Sequence, residues 1–143
     1  MSEAGRVPFR PLPALTPLTA PYWTSGADGR LRMQRCGSCG RYTHPAGPVC
    51  SACLSNDVEY QPLAGTGTIY ACTLNHYAWY PGWETPYVVA IVALDEQDDL
   101  RVTTNIVDSA PEEVRIGARV RVQFEQREDV WLPLFALEPD AAP

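Results

Sequence analysis

Two closely spaced cysteine pairs, five strand-like runs after them, and one helical turn between the third and fourth of those runs predict a mostly β fold. The expected order is an N-terminal arm and short helix over residues 1–30, a rubredoxin-like zinc ribbon over 31–60, and a five-stranded OB-fold barrel over 61–143.

The arm comes first. Pro8, Pro11, Pro13, Pro17 and Pro21 are spaced so that neither helix nor sheet interior can form, which favours an extended chain. Composition leaves two possibilities open, a flexible leader or an arm lying across its own domain or a partner. Thr19 offers an N-cap and Pro21 an early helical position, with Tyr22 and Trp23 following. The Gly26-Ala-Asp-Gly29 cluster ends this short helix. Leu31, Met33 and Arg35 then alternate with Arg30, Arg32 and Gln34, so a strand feeds into the first cysteine turn.

Cys36-Gly-Ser-Cys39 and Cys50-Ser-Ala-Cys53 each place two sulfurs on one tight turn, and Gly40 can take the positive φ such a turn favours. Ten residues between the pairs allow the second turn to return against the first. Four thiolates, Cys36, Cys39, Cys50 and Cys53, then surround one tetrahedral position, the arrangement of a closed structural zinc site. Iron in the same cage, or a pair of disulfides, is the alternative. With all four positions supplied by protein, such a metal holds shape and does no chemistry. A ribbon with so little core depends on it to fold. His44 lies between the pairs, but four cysteines fill the site, so it reads as a packing or surface residue. The ribbon ends near Tyr60, and Gln61-Pro-Leu-Ala-Gly65 reads as the connector.

The barrel runs follow. Thr66–Trp79 is long enough to bend. Tyr87–Leu94 is almost continuously apolar and predicts burial on both faces or an interface. Leu100–Val107 follows an acidic turn, and Ser109-Ala-Pro-Glu112 has the capping-box pattern of a single helical turn. Ala118–Gln126 alternates, with Val120, Val122 and Phe124 on one face and Arg119, Arg121, Gln123 and Glu125 on a solvated one. Val130–Leu137 closes the set, its Pro133 implying an edge or a bulge.

A chain of 143 residues makes one domain or two small ones. Its formal charge of −6 counts thiols as neutral; four thiolates (−4) with one Zn²⁺ (+2) take it to −8. That balance disfavours a nucleic-acid backbone as partner. MSEAGRVPFRPLPALTP contains no apolar run and no stretch is long enough to span a bilayer, so we expect a cytoplasmic protein without membrane contact. Thiols stay reduced there, which supports metal over disulfides.

Catalysis has one candidate pair, Cys72 with His76. Four residues of strand hold their Cα atoms about 13 Å apart, too far for a nucleophile–base dyad. We therefore assign no catalytic residue, and read Cys72 as a small buried apolar side chain. The acidic pairs Asp98/Asp99 and Glu112/Glu113 read as solvated. The connector after the first barrel run is different. Tyr77, Trp79, Tyr80, Trp83 and Tyr87 crowd a loop that OB barrels use for ligands. We read them as a contact surface for a partner or an acyl-CoA, the alternative being a private satellite core.

Several segments together resemble a family. They are Ala20-Pro-Tyr-Trp23, Leu31 through Gly40, His44-Pro-Ala-Gly-Pro-Val-Cys50, Gly65-Thr-Gly-Thr-Ile-Tyr70, Pro86 through Asp95, Thr104-Asn-Ile-Val-Asp108, Arg115-Ile-Gly117 and Leu132-Pro-Leu-Phe135. In this order the chain resembles the zinc-ribbon plus OB-fold proteins associated with acyl-CoA metabolism, long described as a domain of unknown function. The His44-Pro-Ala-Gly-Pro stretch looks most like the partner domain of lipid-transfer-protein-like aldolases that trim steroid side chains. The absence of Arg after Pro45 and the Trp-rich loop depart from the common pattern. The resemblance implies a subunit without catalytic residues of its own, with structural Zn²⁺, that binds a thiolase-superfamily enzyme acting on a CoA thioester. The reaction implied is retro-aldol cleavage of a β-hydroxyacyl-CoA, with this chain stabilising the complex and shaping the acyl-CoA site entrance. A thiolase or hydroxymethylglutaryl-CoA synthase partner is the alternative. A nucleic-acid-binding ribbon/OB module is the rival class, which the acidic charge opposes.

Overall fold

The computed structural model describes residues 9–139. Pro8 and the first residues of the expected arm lie outside the described residues. The described part of the arm lies across the barrel. The Trp83 indole N–H donates to the Phe9 carbonyl, Arg10 donates to Asn105 Oδ1 at 3.2 Å, and the Tyr60 hydroxyl donates to the Leu18 carbonyl at 2.8 Å.

Helix α1 (Ala20–Trp23) has proline in its first turn, as expected. Thr19 stands at the N-cap position but its side chain does not cap; its hydroxyl donates back to the Ala14 carbonyl at 3.3 Å and accepts from the Thr16 amide at 3.1 Å. The glycine cluster does not simply end the helix. Ser25–Asp28 forms a 3₁₀ turn, and Gly29 closes it in the left-handed region at φ +79°. Gly26 lets this turn lie against Phe124 and Trp131, where a Cβ would clash with both.

Three strands make the ribbon sheet: β1 (Arg32–Cys36), β2 (Tyr42–Thr43) and β3 (Val58–Pro62), in the order β2-β1-β3 and all antiparallel. β3 runs two residues beyond the expected end, because Gln61 and Pro62 still pair with Met33 and Arg32. The alternation of β1 also breaks. Gln34 is buried beside Met33, its amide satisfied at both ends by Gly47, which it meets at 2.8 Å as donor and 3.1 Å as acceptor. Burial without those bonds would cost about 1–3 kcal/mol.

Strands β4 (Thr66–Asn75), β5 (Tyr87–Leu94), β6 (Arg101–Val107), β7 (Arg119–Arg127) and β8 (Val130–Leu137) close a barrel in the order β4-β5-β6-β8-β7. A short 3₁₀ turn, Pro111–Glu113, stands between β6 and β7. β4 stops at Asn75 rather than Trp79; the Asn75 amide donates to the Tyr77 carbonyl at 3.1 Å and turns the chain. The register shifts between Ile69 and Ala71, the bend that strand length suggests. β5 is buried on one face only: Val88, Ala90, Val92 and Leu94 fill the core, while Tyr87, Val89, Ile91 and Ala93 are half-buried outside. The capping box does not form. Ala110 takes the cap position and makes no side-chain bond, while the buried Ser109 hydroxyl oxygen has no partner.

Phe135, Ile69, Val92 and Val120 sit at the centre, each fully enclosed and each contributing about 1.5–3 kcal/mol by burial. Pro133 marks an edge in the sense expected. β8 pairs with β7 throughout but meets parallel β6 only at Phe135 and Ala136, and the Thr104 hydroxyl bridges the splayed seam to the Pro133 carbonyl at 2.9 Å. Among the described residues no helix is long and apolar enough to cross a membrane.

Candidate functional site

Strand β1 delivers Cys36 to the first turn, and the same hydrogen-bond pattern recurs in the second. The Gly40 amide donates to the Cys36 carbonyl at 2.9 Å, and the Leu54 amide to the Cys50 carbonyl at 3.1 Å. Gly40 has φ +79°, and Leu54 takes the equivalent position at φ +62°. A leucine there gives no sequence signal, so the second left-handed turn was invisible beforehand.

These twin turns bring Cys36, Cys39, Cys50 and Cys53 together with all four sulfurs within 4.8 Å of one another. Cys36 and Cys53 sulfurs are 3.6 Å apart, as are those of Cys39 and Cys50, well beyond a disulfide bond of about 2.05 Å. Backbone amides converge on the two inner sulfurs. Ser38 and Cys39 donate to Cys36 at 3.3 and 3.4 Å, and Ala52 and Cys53 donate to Cys50 at 3.3 and 3.5 Å. The Cys39 amide first, then that of Ser38, pulls the Cys36 thiol down to about 6; the Cys53 and Ala52 amides pull Cys50 below the ordinary thiol value. Cys53 moves the other way, up to about 12: the Ser55 amide opposes the rise, but the sulfurs of Cys36, Cys39 and Cys50 and burial outweigh it. One site thus favours thiolate at two sulfurs and resists a further charge until a cation enters. Such a donor set fits a tetrahedral structural divalent metal. His44 stays outside it, packing on Tyr22 with ring centroids 4.6 Å apart and kept below its usual pKa by burial.

The acidic turn is not simply solvated. Gln97 accepts from the Tyr42 amide at 2.9 Å and donates to the Tyr42 carbonyl at 3.1 Å, capping the ribbon edge, while Asp99 pairs with Arg41. Asp98, Glu112 and Glu113 are exposed. The face of β7 carrying Arg119 and Arg121 is likewise an ion network: Arg119 grips Asp95 with two bonds of 2.7 Å, and Arg121 meets Glu138 at 3.1 Å.

The aromatic loop divides into two parts. Tyr77 and Trp79 are 63% and 66% exposed and touch edge to face at 4.7 Å. Tyr80, Trp83 and Tyr87 are half-buried in a chain of ring contacts, Phe9 to Tyr80 at 5.3 Å, Tyr80 to Trp83 at 5.2 Å and Trp83 to Tyr87 at 5.5 Å. Arg10 stacks over Trp83 at 5.6 Å. Hence the arm supplies the covering that the loop sequence lacks. Cys72 packs against the barrel core, half-buried, while His76 is exposed beyond the end of β4.

The profile of the ChsH2 rubredoxin-like zinc ribbon domain matches residues 23–59, and that of the ChsH2 C-terminal OB-fold domain matches residues 60–125. The chain belongs to the ChsH2 group of the DUF35 family. Among solved structures, it superposes on a chain of the Ltp2-ChsH2(DUF35) aldolase with a TM-score of 0.79 and 35% identity, covering 88% of this chain and 98% of that one. A probable enoyl-CoA hydratase alpha subunit of Thermomonospora curvata is 38% identical over 128 residues, 89% of this chain and 40% of the relative. The 3-oxo-4,17-pregnadiene-20-carboxyl-CoA hydratase alpha subunit of Mycobacterium tuberculosis is 32% identical over 122 residues, 85% of this chain and 38% of the relative. This ChsH2-type chain therefore spans about two-fifths of the length of those curated relatives.

Proposed function

We propose that the chain is a non-catalytic accessory subunit of a thiolase-superfamily acyl-CoA enzyme, of the retro-aldolase type that cleaves a β-hydroxyacyl-CoA. The observation that carries this reading is the match along nearly the whole of the ChsH2 chain of an Ltp2-ChsH2 aldolase. The chain's own residues support it. Cys36, Cys39, Cys50 and Cys53 would hold one Zn²⁺, whose contribution when bound is to fix the ribbon. Cys72 and His76 occupy unlike surroundings, so acid–base work on the thioester falls to the partner. Tyr77 and Trp79, exposed on a connector where OB barrels receive ligands, would contact the partner or the CoA thioester near the site entrance.

The test is turnover. The purified chain alone should cleave no β-hydroxyacyl-CoA, and co-expression with an Ltp2-type subunit should yield cleavage that neither chain shows alone. A partner-free preparation working at an ordinary enzymatic rate refutes the reading. The two alpha-subunit relatives favour a second reading, service in a hydratase assembly. Hydration of the corresponding enoyl-CoA in a complex lacking any aldolase subunit would select it.

A further inference from the structure

We propose that the pocket where the short helix, the ribbon and the barrel meet is a binding site for a compact flat ring system bearing an anionic group. The cavity holds about 330 Å³, at the lower end of small-molecule sites. That volume suits a compact ring body rather than a long chain. Trp23 of α1, His44 of the ribbon loop and Tyr60 of β3 give it aromatic walls, the surfaces on which flat ligands stack.

Two observations point to a ligand rather than an idle crevice. The first is Tyr22, only 6% exposed, whose hydroxyl has no hydrogen-bond partner among the described residues although its side chain lines the cavity. That hydroxyl is free to bond a ligand or a water that enters the cavity. Burial holds it protonated, far above the ordinary phenol range, so it can donate. The His44 ring, neutral by burial, likewise has no hydrogen-bond partner among the described residues. The second observation is Arg101, which lines the cavity from β6. Its guanidinium lies 3.8 Å over the Tyr70 ring and meets no carboxylate among the described residues. Arg32, Arg41, Arg119 and Arg121 are paired with acids, whereas Arg101, like Arg30, Arg35 and Arg115, has no ion pair among the described residues, and of those four it alone lines this cavity. An arginine without a carboxylate partner that lines a pocket holding free donors suits an anionic group on the ligand.

The inference stands apart from the accessory role, because it is read on the zinc-loaded chain without any partner. Calorimetric titration with adenosine 5′-monophosphate and with 2-naphthoate compares a phosphate and a carboxylate on a flat ring; uncharged adenosine is the control. At least one anion should bind saturably with Kd below about 1 mM, and removing its charge should weaken binding roughly tenfold. Binding of only one identifies the source of the anion and supports the site. Arg101→Gln should weaken binding about fivefold or more and Tyr22→Phe about threefold, the loss of a charged and a neutral hydrogen bond. Zinc content and melting temperature should hold in both. Arg101 is exposed, so its variant keeps the test open even if Tyr22→Phe folds poorly. No saturation by either anion up to about 10 mM, ten times the expected limit, or binding that Arg101→Gln leaves unchanged, overturns the proposal.

Discussion

Trp79 and Trp83 sit four residues apart on one loop, yet their surroundings differ. Trp83 is half-buried against Tyr80 and Tyr87, under the Arg10 guanidinium, with its indole N–H on the Phe9 carbonyl. A fully buried Trp→Ala change costs about 3–5 kcal/mol; halving that for partial exposure puts Trp83→Ala near 2 kcal/mol. Trp79 has one ring neighbour, Tyr77, and is 66% exposed, so Trp79→Ala should cost under about 0.5 kcal/mol in stability. Partner affinity should reverse the order. If Trp79 is an interface anchor, its truncation weakens binding by about 2 kcal/mol, roughly thirtyfold in Kd. Urea unfolding of each variant at fixed free zinc measures the first quantity, and calorimetry against an Ltp2-type subunit measures the second. Equal destabilisation by both variants would refute the division of the loop. Unchanged partner affinity in Trp79→Ala would move the interface elsewhere, first to the half-buried outer face of β5.

Three further outcomes follow from the same contacts. Cys50→Ser should abolish the roughly one-to-one zinc content and unfold the ribbon, because it removes a sulfur that two amides address; metal analysis reads it, and full occupancy would contradict the ligand set. Gln97→Ala should leave zinc in place but speed amide exchange at Tyr42 and lower stability by about 1–2 kcal/mol, two lost hydrogen bonds; unaltered exchange would show that the clamp does not hold the ribbon edge. Arg119, and after it Thr66, holds the Asp95 carboxyl down at about 2, a pKa below its unfolded value, so this pairing stabilises above about pH 4 and is lost as pH falls toward 2. Arg119→Gln should therefore cost well under about 1 kcal/mol at neutral pH, given the exposure of the pair, and progressively less as pH falls through about 2; a cost that persists undiminished in acid would assign Arg119 another role.

The clustering of the four cysteines was legible because its signal is local. Cysteine spacing and one glycine dictate a turn whatever the rest of the chain does. The barrel was legible because β5 and β8 are bounded by strong breaks in pattern, and both begin and end where the sequence places them. What stayed hidden depends on partners remote in sequence. Gln34 looks like a solvent-facing residue until Gly47, thirteen positions on, satisfies both ends of its amide. Asp99 looks solvated until Arg41 arrives from the ribbon. Trp83 looks exposed until Phe9 and Arg10 cover it, seventy-odd residues earlier in the chain. Thr19 and Ser109 fit capping patterns, but one hydroxyl turns back to Ala14 and the other is buried without a partner. No periodicity reports such choices.

The proposed role is binding to, and completion of, an acyl-CoA carbon–carbon-bond enzyme. Its most direct measurement is the solution mass of the zinc-loaded chain mixed with an Ltp2-type aldolase subunit, by light scattering on an eluting column. A single peak heavier than either component, which retains one zinc per copy of this chain and weakens with Trp79→Ala, is the predicted result. Two peaks at the masses of the separate proteins, with zinc bound and both chains folded, would contradict it.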